Sequence, residues 1–208
     1  MTMLAYLRDP GAIYAQSLAT IEAEADLDRF DADERVVAIR MIHACGMVDL
    51  ANDILIAPGA VGSALDGLRS GGQIYCDANM VREGLIASKL PADCEPACNI
   101  NAVETRARAE REGTTRSAAQ VDGWCIEGSI IVVGNAPTAL FRLMERCTEC
   151  AVRPAVVIGV PVGFVGAVES KEALIQTDLP YITVRGRRGG SAIAAAALNA
   201  IAGLGQFQ

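Results

Sequence analysis

The stretch Ser129-Ile130-Ile131-Val132-Val133-Gly134 decides the fold class of this 208-residue chain. An unbroken aliphatic run between a serine and a glycine is typical of a strand that is buried on both faces. The run leads into Asn135-Ala136-Pro137-Thr138, where the proline predicts the start of a helix that continues through Glu145. The stretch therefore predicts a unit in which a buried strand is followed by a helix.

The same arrangement of strand and helix recurs twice further along the chain. Residues 155–160 form the second strand and lead through a glycine-rich turn into a helix at about residues 170–175. Residues 181–184 form the third strand and lead through a basic turn into an alanine-rich helix. Because strands that are joined by helical crossovers lie parallel, three successive units predict a parallel sheet with helices on both faces.

Two helices are predicted before this region. Asp9 can cap the first helix, which begins at Pro10. Asp31 and Glu34 have the spacing of a capping box, which predicts the start of the second helix. The second helix is apolar on nearly all sides, so we expect it to be buried, and Gly46 to end or kink it. Residues 54–56 form a short apolar segment. Further along, the sequence predicts a strand at residues 73–77, a weak strand at residues 97–100 and a solvated helix at residues 103–112.

The overall charge excludes several kinds of partner. The formal net charge is −7 and the isoelectric point is about 4.8, so we expect no general affinity for nucleic acid or for an anionic membrane.

No apolar run reaches the ~18 to 20 residues that a membrane span requires. The N-terminal residues also lack the features of a signal peptide. We therefore expect a cytoplasmic protein.

The chain contains seven cysteines. In a cytoplasmic protein, cysteine usually serves as a reduced, small apolar packing residue. A metal site formed by Cys94, Cys98, Cys147 and Cys150 is the alternative interpretation. The surroundings of these two pairs lack the glycines and turns of a zinc ribbon. We therefore expect no metal, and because the chain also lacks a nucleotide-binding motif we expect no cofactor.

The only histidine, His43, lies in the largely apolar stretch Arg40-Met41-Ile42-His43-Ala44-Cys45-Gly46-Met47-Val48-Asp49. Histidine is the side chain whose ordinary pKa lies near neutrality, so it can exchange protons at physiological pH. A core histidine whose ring nitrogens bond backbone carbonyls is the alternative interpretation. Arg40 precedes His43 by three residues and shares a helix face with it.

Three loops are expected at the carboxyl ends of the strands, where open parallel sheets bind their ligands. They span residues 134–138, 159–166 and 185–191, and each leads into a helix N-terminus, which favours anions. Neither a phosphate-binding loop nor a dinucleotide-binding glycine pattern is present. The third loop contains Arg185, Arg187 and Arg188, and Arg116 lies at the start of another helix.

The arginine cluster has two interpretations. It is either a solvated basic turn or a clamp that binds carboxylates in bidentate fashion. With the glycine-lined loops, the second interpretation predicts a pocket for a small molecule with several negative charges, in which a buried His43 carries a proton. The chain has no nucleophile elbow and no carboxylate pair suited to hydrolysis, which favours an isomerase or a binding protein.

Several stretches together resemble one enzyme family over nearly the whole chain. They are Asp9-Pro10 with Ile13-Tyr14 and Ser17, residues 40–49, Thr115-Arg116-Ser117-Ala118-Ala119, Gly134-Asn135-Ala136-Pro137-Thr138-Ala139-Leu140, residues 159–171, and Arg185-Gly186-Arg187-Arg188-Gly189-Gly190-Ser191. In these stretches the chain resembles the precorrin-8X methylmutases of cobalamin (vitamin B12) biosynthesis.

The resemblance implies a flavodoxin-like, three-layer α/β/α sandwich with a mainly parallel five-stranded sheet, preceded by N-terminal helices, in a single domain over residues 1–208. It also implies a homodimer whose substrate is a tetrapyrrole, precorrin-8X. The implied reaction moves a methyl group from C-11 to C-12 of the macrocycle. The product is hydrogenobyrinic acid, or cobyrinic acid if the substrate carries cobalt. The product could pass directly to the next enzyme of the pathway.

At the matching positions, the resemblance implies that His43 is the catalytic acid. The residues expected to bind the substrate are Tyr14, Ser17, Arg40, Arg116, Ser117, Asn135, Thr138, Gly163, Phe164, Arg185, Gly186, Arg187 and Arg188. The chain departs from the family's pattern at residues 94–113, which are unusually rich in charge. We therefore assign no site residue within that segment.

Two other functions are compatible with the same residues. A corrinoid carrier would bind the same ligand without converting it. An electron carrier of the flavodoxin type would copurify with yellow flavin, although the chain lacks an aromatic pair near the loops. An assay for conversion of the bound tetrapyrrole separates the first alternative from the mutase, and the colour of the purified protein tests the second.

Overall fold

The computed structural model describes residues 6–207, within which lie nine α-helices and six strands. The helices are α1 (Pro10–Glu24), α2 (Ala32–Cys45), α3 (Ala60–Arg69), α4 (Asn79–Glu83), α5 (Val103–Glu112), α6 (Arg116–Val121), α7 (Pro137–Cys150), α8 (Ala167–Ile175) and α9 (Ser191–Gly205). The strands are β1 (Ile54–Ile56), β2 (Ile74–Cys76), β3 (Pro96–Ala97), β4 (Ile130–Val133), β5 (Val156–Gly159) and β6 (Tyr181–Val184). Short 3-10 helices span Val48–Asn52 and Ala87–Lys89.

The strands of this region form one sheet in the order β1-β6-β5-β4-β2-β3. The pairs from β3 through β6 are parallel, whereas β1 runs antiparallel to β6 with Ile54 opposite Val184. The prediction of a mainly parallel sheet is confirmed. The predicted number of five strands is wrong, because the structure adds β1. The three residues of β1 are too few to show a strand pattern, and its partner β6 lies far along the chain.

Helices cover both faces of the sheet, as predicted. Ile130 and Val132 belong to a core that also contains residues of α2, α3 and α9. Ile131 and Val133 belong to a second core, which contains residues of α6, α7 and α8. Because successive side chains of a strand point to opposite faces, a continuous aliphatic strand fills both cores. The architecture is therefore three-layered, with the sheet between two helical layers.

The N-terminal helices extend one of these layers outward. Helix α9 packs against β4 and β5, α2 packs against α9, and α1 packs against α2. Only Ile21 of α1 is buried, so α1 lies at the surface. Helix α2, which carries His43, therefore lies between the core and the surface helix α1.

Both predicted helix starts are confirmed. The Asp9 carboxylate accepts a hydrogen bond from the Ala12 N–H at 2.6 Å, and a proline occupies the first turn of α1. Asp31 and Glu34 form a reciprocal capping box at the start of α2. Gly46 ends α2 with a φ of 69°, a left-handed conformation that glycine adopts without strain.

The seven cysteines are all free and differ in burial. Cys76, Cys94 and Cys147 are buried, as expected of packing residues, whereas Cys125 and Cys150 are exposed. Within residues 6–207, no three His, Cys, Asp or Glu side chains are grouped so that they could hold a metal ion. No helix of the same range is both long and apolar enough to cross a membrane.

Candidate active site

His43 faces a cavity of about 480 Å³ between α1 and α2. The polar wall of this cavity comes from one side of α1, where Gln16, Ser17, Thr20 and Glu24 follow one another at helical spacing. The apolar lining includes Ile13, Ile42 and Val48. The cavity thus combines a titratable ring with several hydrogen-bonding groups, which is typical of a small-molecule site.

The His43 side chain is exposed, so the prediction that it is buried is wrong. Its neighbours Met41 and Ile42 are fully buried and make the stretch look like a helix enclosed on all sides. His43 instead lies on the side of α2 that faces α1, and its ring contacts the Tyr14 ring edge-on, with centroids 5.9 Å apart and planes at 71°. An exposed imidazole can reach a ligand in the cavity, which is the first requirement of an acid catalyst.

Tyr14 links His43 to Arg40. The Arg40 guanidinium donates a hydrogen bond to the Tyr14 hydroxyl and lies 5.2 Å from the centre of its ring. Ser17, one turn further along α1, donates its hydroxyl to the Ile13 carbonyl at 2.9 Å, so its oxygen can still accept a hydrogen bond from a ligand. The structure therefore brings the predicted residues of α1 and α2 together.

The loop between β6 and α9, residues 185–190, places its arginines in different environments. Arg188 donates to Asp49 at 2.8 Å and also to Asp53, so its charge is balanced within the chain. Arg185 lies 3.4 Å from Glu172 in an exposed ion pair. Two of the three arginines predicted for substrate carboxylates thus already have carboxylate partners.

Arg187 is exposed and forms no ion pair within residues 6–207. Its guanidinium lies 5.3 Å from the centre of the Phe164 ring, and Phe164 is 82% exposed. The Arg187 carbonyl accepts the Gly163 N–H at 3.2 Å, which joins this loop to the one that follows β5. Gly186 turns the chain here with a φ of 75°. These residues form an exposed group at the carboxyl edge of the sheet.

A buried carboxylate fills the turn between β4 and α7. Asp77, directly after β2, accepts the N–H groups of Gly134 at 2.9 Å, Asn135 at 2.9 Å and Ala136 at 2.6 Å. Burial raises the pKa of Asp77, and these N–H donors oppose the rise. The prediction that this turn offers free N–H groups to an anion is therefore wrong for residues 134–136. The Asn135 side chain remains exposed.

Arg116, Ser117 and Thr138 lie together beside this turn. The hydroxyl oxygens of Thr115 and Thr138 are 2.8 Å apart, which joins the start of α6 to the start of α7. Arg116 is exposed and reaches the Asn101 side chain at 3.4 Å, while Ser117 is partly buried. This corner therefore presents a guanidinium group beside hydroxyl groups.

The predicted residues form three neighbouring groups, around His43, Arg187 and Arg116. Arg188 connects the first two groups, because it pairs with Asp49 in the segment that follows α2. The second and third groups meet where the loop after β5 lies against the first residue of α7. Contacts within the chain therefore connect the three groups with one another.

Five side chains with a role in this region were not among the predicted site residues, and Thr20 of the cavity wall is one of them. Gln16 and Glu24 line the His43 cavity, and helical spacing from Ser17 is the signal that could have identified Glu24. Asp77 and Lys171 hold loops from buried positions. A charged residue directly after a strand is the weak signal for Asp77.

Comparison with known proteins finds relatives over nearly the whole chain. A family model described as precorrin-8X methylmutase matches residues 12–204. A precorrin-8X methylmutase of Pseudomonas aeruginosa is 51% identical over 204 residues, which cover 96% of this chain and 98% of that protein. A cobalt-precorrin-8 methylmutase of Leptospira interrogans is 36% identical, with 89% of this chain and 90% of that protein covered.

The fold also has a solved counterpart. The structure of precorrin-8x methyl mutase from Thermus thermophilus matches with a TM-score of 0.86 and 36% identity, over 94% of this chain and 96% of that one. The sequence and the architecture thus point to the same relatives. The chain belongs to the precorrin-8X methylmutase family, the methyl-migrating isomerases of cobalamin biosynthesis.

Proposed function

We propose that this chain moves a methyl group from C-11 to C-12 of precorrin-8X, giving hydrogenobyrinic acid, and that His43 is the general acid. The observation that carries the proposal is the position of the only histidine, which is exposed in a cavity of about 480 Å³. Family membership supplies the type of reaction, and the cavity supplies a proton donor that a bound macrocycle can reach.

In this mechanism the His43 imidazolium donates its proton to a ring nitrogen of the macrocycle. The conjugated system beside that nitrogen becomes electron-poor. The bond between the methyl carbon and C-11 breaks while the bond to C-12 forms. Because substrate and product are isomers, the macrocycle returns one proton to the His43 imidazole in the same turnover, and no electrons are gained or lost.

The substrate carboxylates are bound by the exposed guanidinium groups of Arg187 and Arg116, neither of which forms an ion pair within the described part of the chain. Arg40 adds positive charge next to His43 through its contact with Tyr14. Arg188 holds the β6–α9 loop through its own carboxylate partners. The remaining residues of the proposed site are Ser17, Ser117, Asn135, Thr138, Gly163, Phe164, Arg185 and Gly186.

The substrate is the metal-free form. The support is that the relative with 51% identity is named for precorrin-8X, whereas the relative with 36% identity is named for the cobalt form. The test is to incubate the purified protein separately with precorrin-8X and with cobalt-precorrin-8 and to follow the visible spectrum. We expect faster conversion of the metal-free substrate. Binding of both without conversion of either would support a carrier and overturn the proposal.

The chain folds as one flavodoxin-like domain. The support is the order of its parallel strands, β3-β2-β4-β5-β6. Numbered along the chain, these strands follow the 2-1-3-4-5 order of flavodoxin-like doubly wound sheets, and β1 extends the sheet beyond them.

The protein is a cytoplasmic homodimer that can hand its product directly to the next enzyme. The support for the dimer is apolar surface on the N-terminal helices, where Ile13 and Tyr14 are each 44% exposed and Val36 is 38% exposed. Exposed apolar side chains on two helices that pack together favour an interaction site on this surface. The test is light scattering, in which we expect twice the chain mass of 21.8 kDa. A mass of one chain at working concentration would contradict the dimer.

Replacing Arg187 by methionine is expected to raise KM for precorrin-8X by about 10-fold to 100-fold, because a hydrogen bond between charged groups is lost. We expect a smaller change in kcat. Steady-state kinetics checks the prediction. The matched control is Arg69→Met, which removes an exposed arginine whose one ion pair in the described part of the chain is with Asp66 on α3, and which should leave KM unchanged. An unchanged KM for Arg187→Met would remove Arg187 from the substrate site.

A further inference from the structure

Lys171 on α8 is a fully buried lysine. Its Nζ donates a hydrogen bond to the Arg188 carbonyl at 2.6 Å. Burial lowers the pKa of Lys171 to about 8, and the nearby charges of Asp53 and Glu172 oppose that shift. A buried ammonium group is unfavourable unless it bonds a suitable partner. The hydrogen bond to the Arg188 carbonyl therefore compensates for the burial of the Lys171 ammonium group.

The carbonyl that Lys171 binds lies in the middle of the β6–α9 loop. The neighbouring residues of this loop bond to the loop after β5, with the Gly190 N–H donating to the Val160 carbonyl at 2.8 Å. Gly189 passes so close to the Val160 carbonyl that a Cβ at this position would lie 2.2 Å from its oxygen. Lys171 thus adds a side-chain contact to a loop whose backbone is already closely packed.

The side chain of Arg188 extends from this loop to the segment that follows α2. It donates to Asp49 at 2.8 Å and to Asp53. Val48, directly before Asp49, lines the His43 cavity. A continuous series of contacts therefore leads from Lys171 through Arg188 to the wall of the cavity.

We propose that Lys171 is a positioning residue, which fixes the backbone of Arg188 so that the Arg188 side chain reaches Asp49 and Asp53 while Arg187 faces the substrate. This inference rests on the proposed role of the β6–α9 loop in substrate binding. Lys171 itself does not touch the substrate, because it is buried. Replacing Lys171 therefore changes substrate binding through the conformation of residues 185–190.

The first test is Lys171→Met, which keeps the length of the side chain and removes the donor. We expect KM for precorrin-8X to rise about tenfold, as for the loss of one charge-assisted hydrogen bond, with kcat within about twofold of wild type. Trypsin should also cleave faster after Arg185 and Arg187. The matched control is Ser170→Ala, because the Ser170 hydroxyl is buried on the same helix and, among residues 6–207, bonds only the Ala167 carbonyl.

A double-mutant cycle with Arg188→Met separates positioning from a general loss of stability. If Lys171 acts through Arg188, Lys171→Met should raise KM in the wild-type protein and add little in the Arg188→Met protein. Additive effects, or a wild-type KM and cleavage rate for Lys171→Met, would overturn the inference. If Lys171→Met does not fold, a wild-type KM for Arg188→Met alone would overturn it.

The outcome for Arg187→Met distinguishes this inference from the proposed substrate site. If Arg187→Met loses affinity while Lys171→Met does not, the substrate site stands and the positioning role of Lys171 fails. If Arg187→Met binds normally, the proposed role of the loop fails, and the trypsin cleavage rates then still report whether Lys171 holds residues 185–190 in place.

Discussion

Replacing His43 by alanine is expected to lower kcat for precorrin-8X by about 10² to 10⁴, the contribution typical of one acid–base group. KM should change little, because the carboxylate-binding arginines lie elsewhere in the site. His43 is exposed, so its removal leaves no buried void and the fold should persist. Steady-state kinetics on the visible spectrum of the substrate measures both constants.

The control for this prediction is Asp33→Ala, which changes an exposed residue in the first turn of the same helix. Its kcat should equal that of the wild type. Binding of hydrogenobyrinic acid, measured by calorimetry, should be similar for all three proteins. A His43→Ala protein that turns over near the wild-type rate would overturn the assignment of His43 as the general acid, whereas a loss of kcat far smaller than about 10² would leave His43 only an orienting role.

Replacing Asp77 by alanine is expected to lower the free energy of unfolding by about 3 to 5 kcal/mol, as is typical when one partner of a buried charged network is removed. The N–H groups of Gly134, Asn135 and Ala136 would lose their acceptor in a site that excludes water. Urea unfolding, with the slope held constant between proteins, measures the change.

The control for this second prediction is Asp66→Ala. Asp66 is also an aspartate, but its side chain is 78% exposed and pairs with the exposed Arg69. Removal of an exposed pair of this kind should change stability by less than about 1 kcal/mol. If Asp77→Ala and Asp66→Ala destabilise the protein equally, the turn between β4 and α7 does not depend on the buried carboxylate.

The layered fold could be predicted because its signals are local. The four residues of β4 are all buried and aliphatic, and the residues that follow contain the proline that starts α7. The capping residues Asp9 and Asp31 also act within three positions along the chain. β1 could not be predicted in the same way, because its three residues become a strand only by pairing with β6.

The candidate site was harder to predict, because burial and pairing depend on distant partners. The exposure of His43 depends on how α1 packs against α2, which the apolar pattern around Met41 does not show. Arg188 meets carboxylates that lie 139 and 135 residues away in the chain. Asp77 meets N–H groups 57 to 59 residues away. No spacing rule connects residues at such separations.

The most direct test of the central claim is to follow the migrating methyl group itself. Precorrin-8X carrying ¹³C in the methyl group at C-11 is incubated with the wild-type protein, and the product is examined by ¹³C NMR. We predict that the label moves to C-12 and that none is lost to the solvent. A label that stays on C-11 while the substrate remains bound, or one that appears at another carbon, would contradict the proposed reaction.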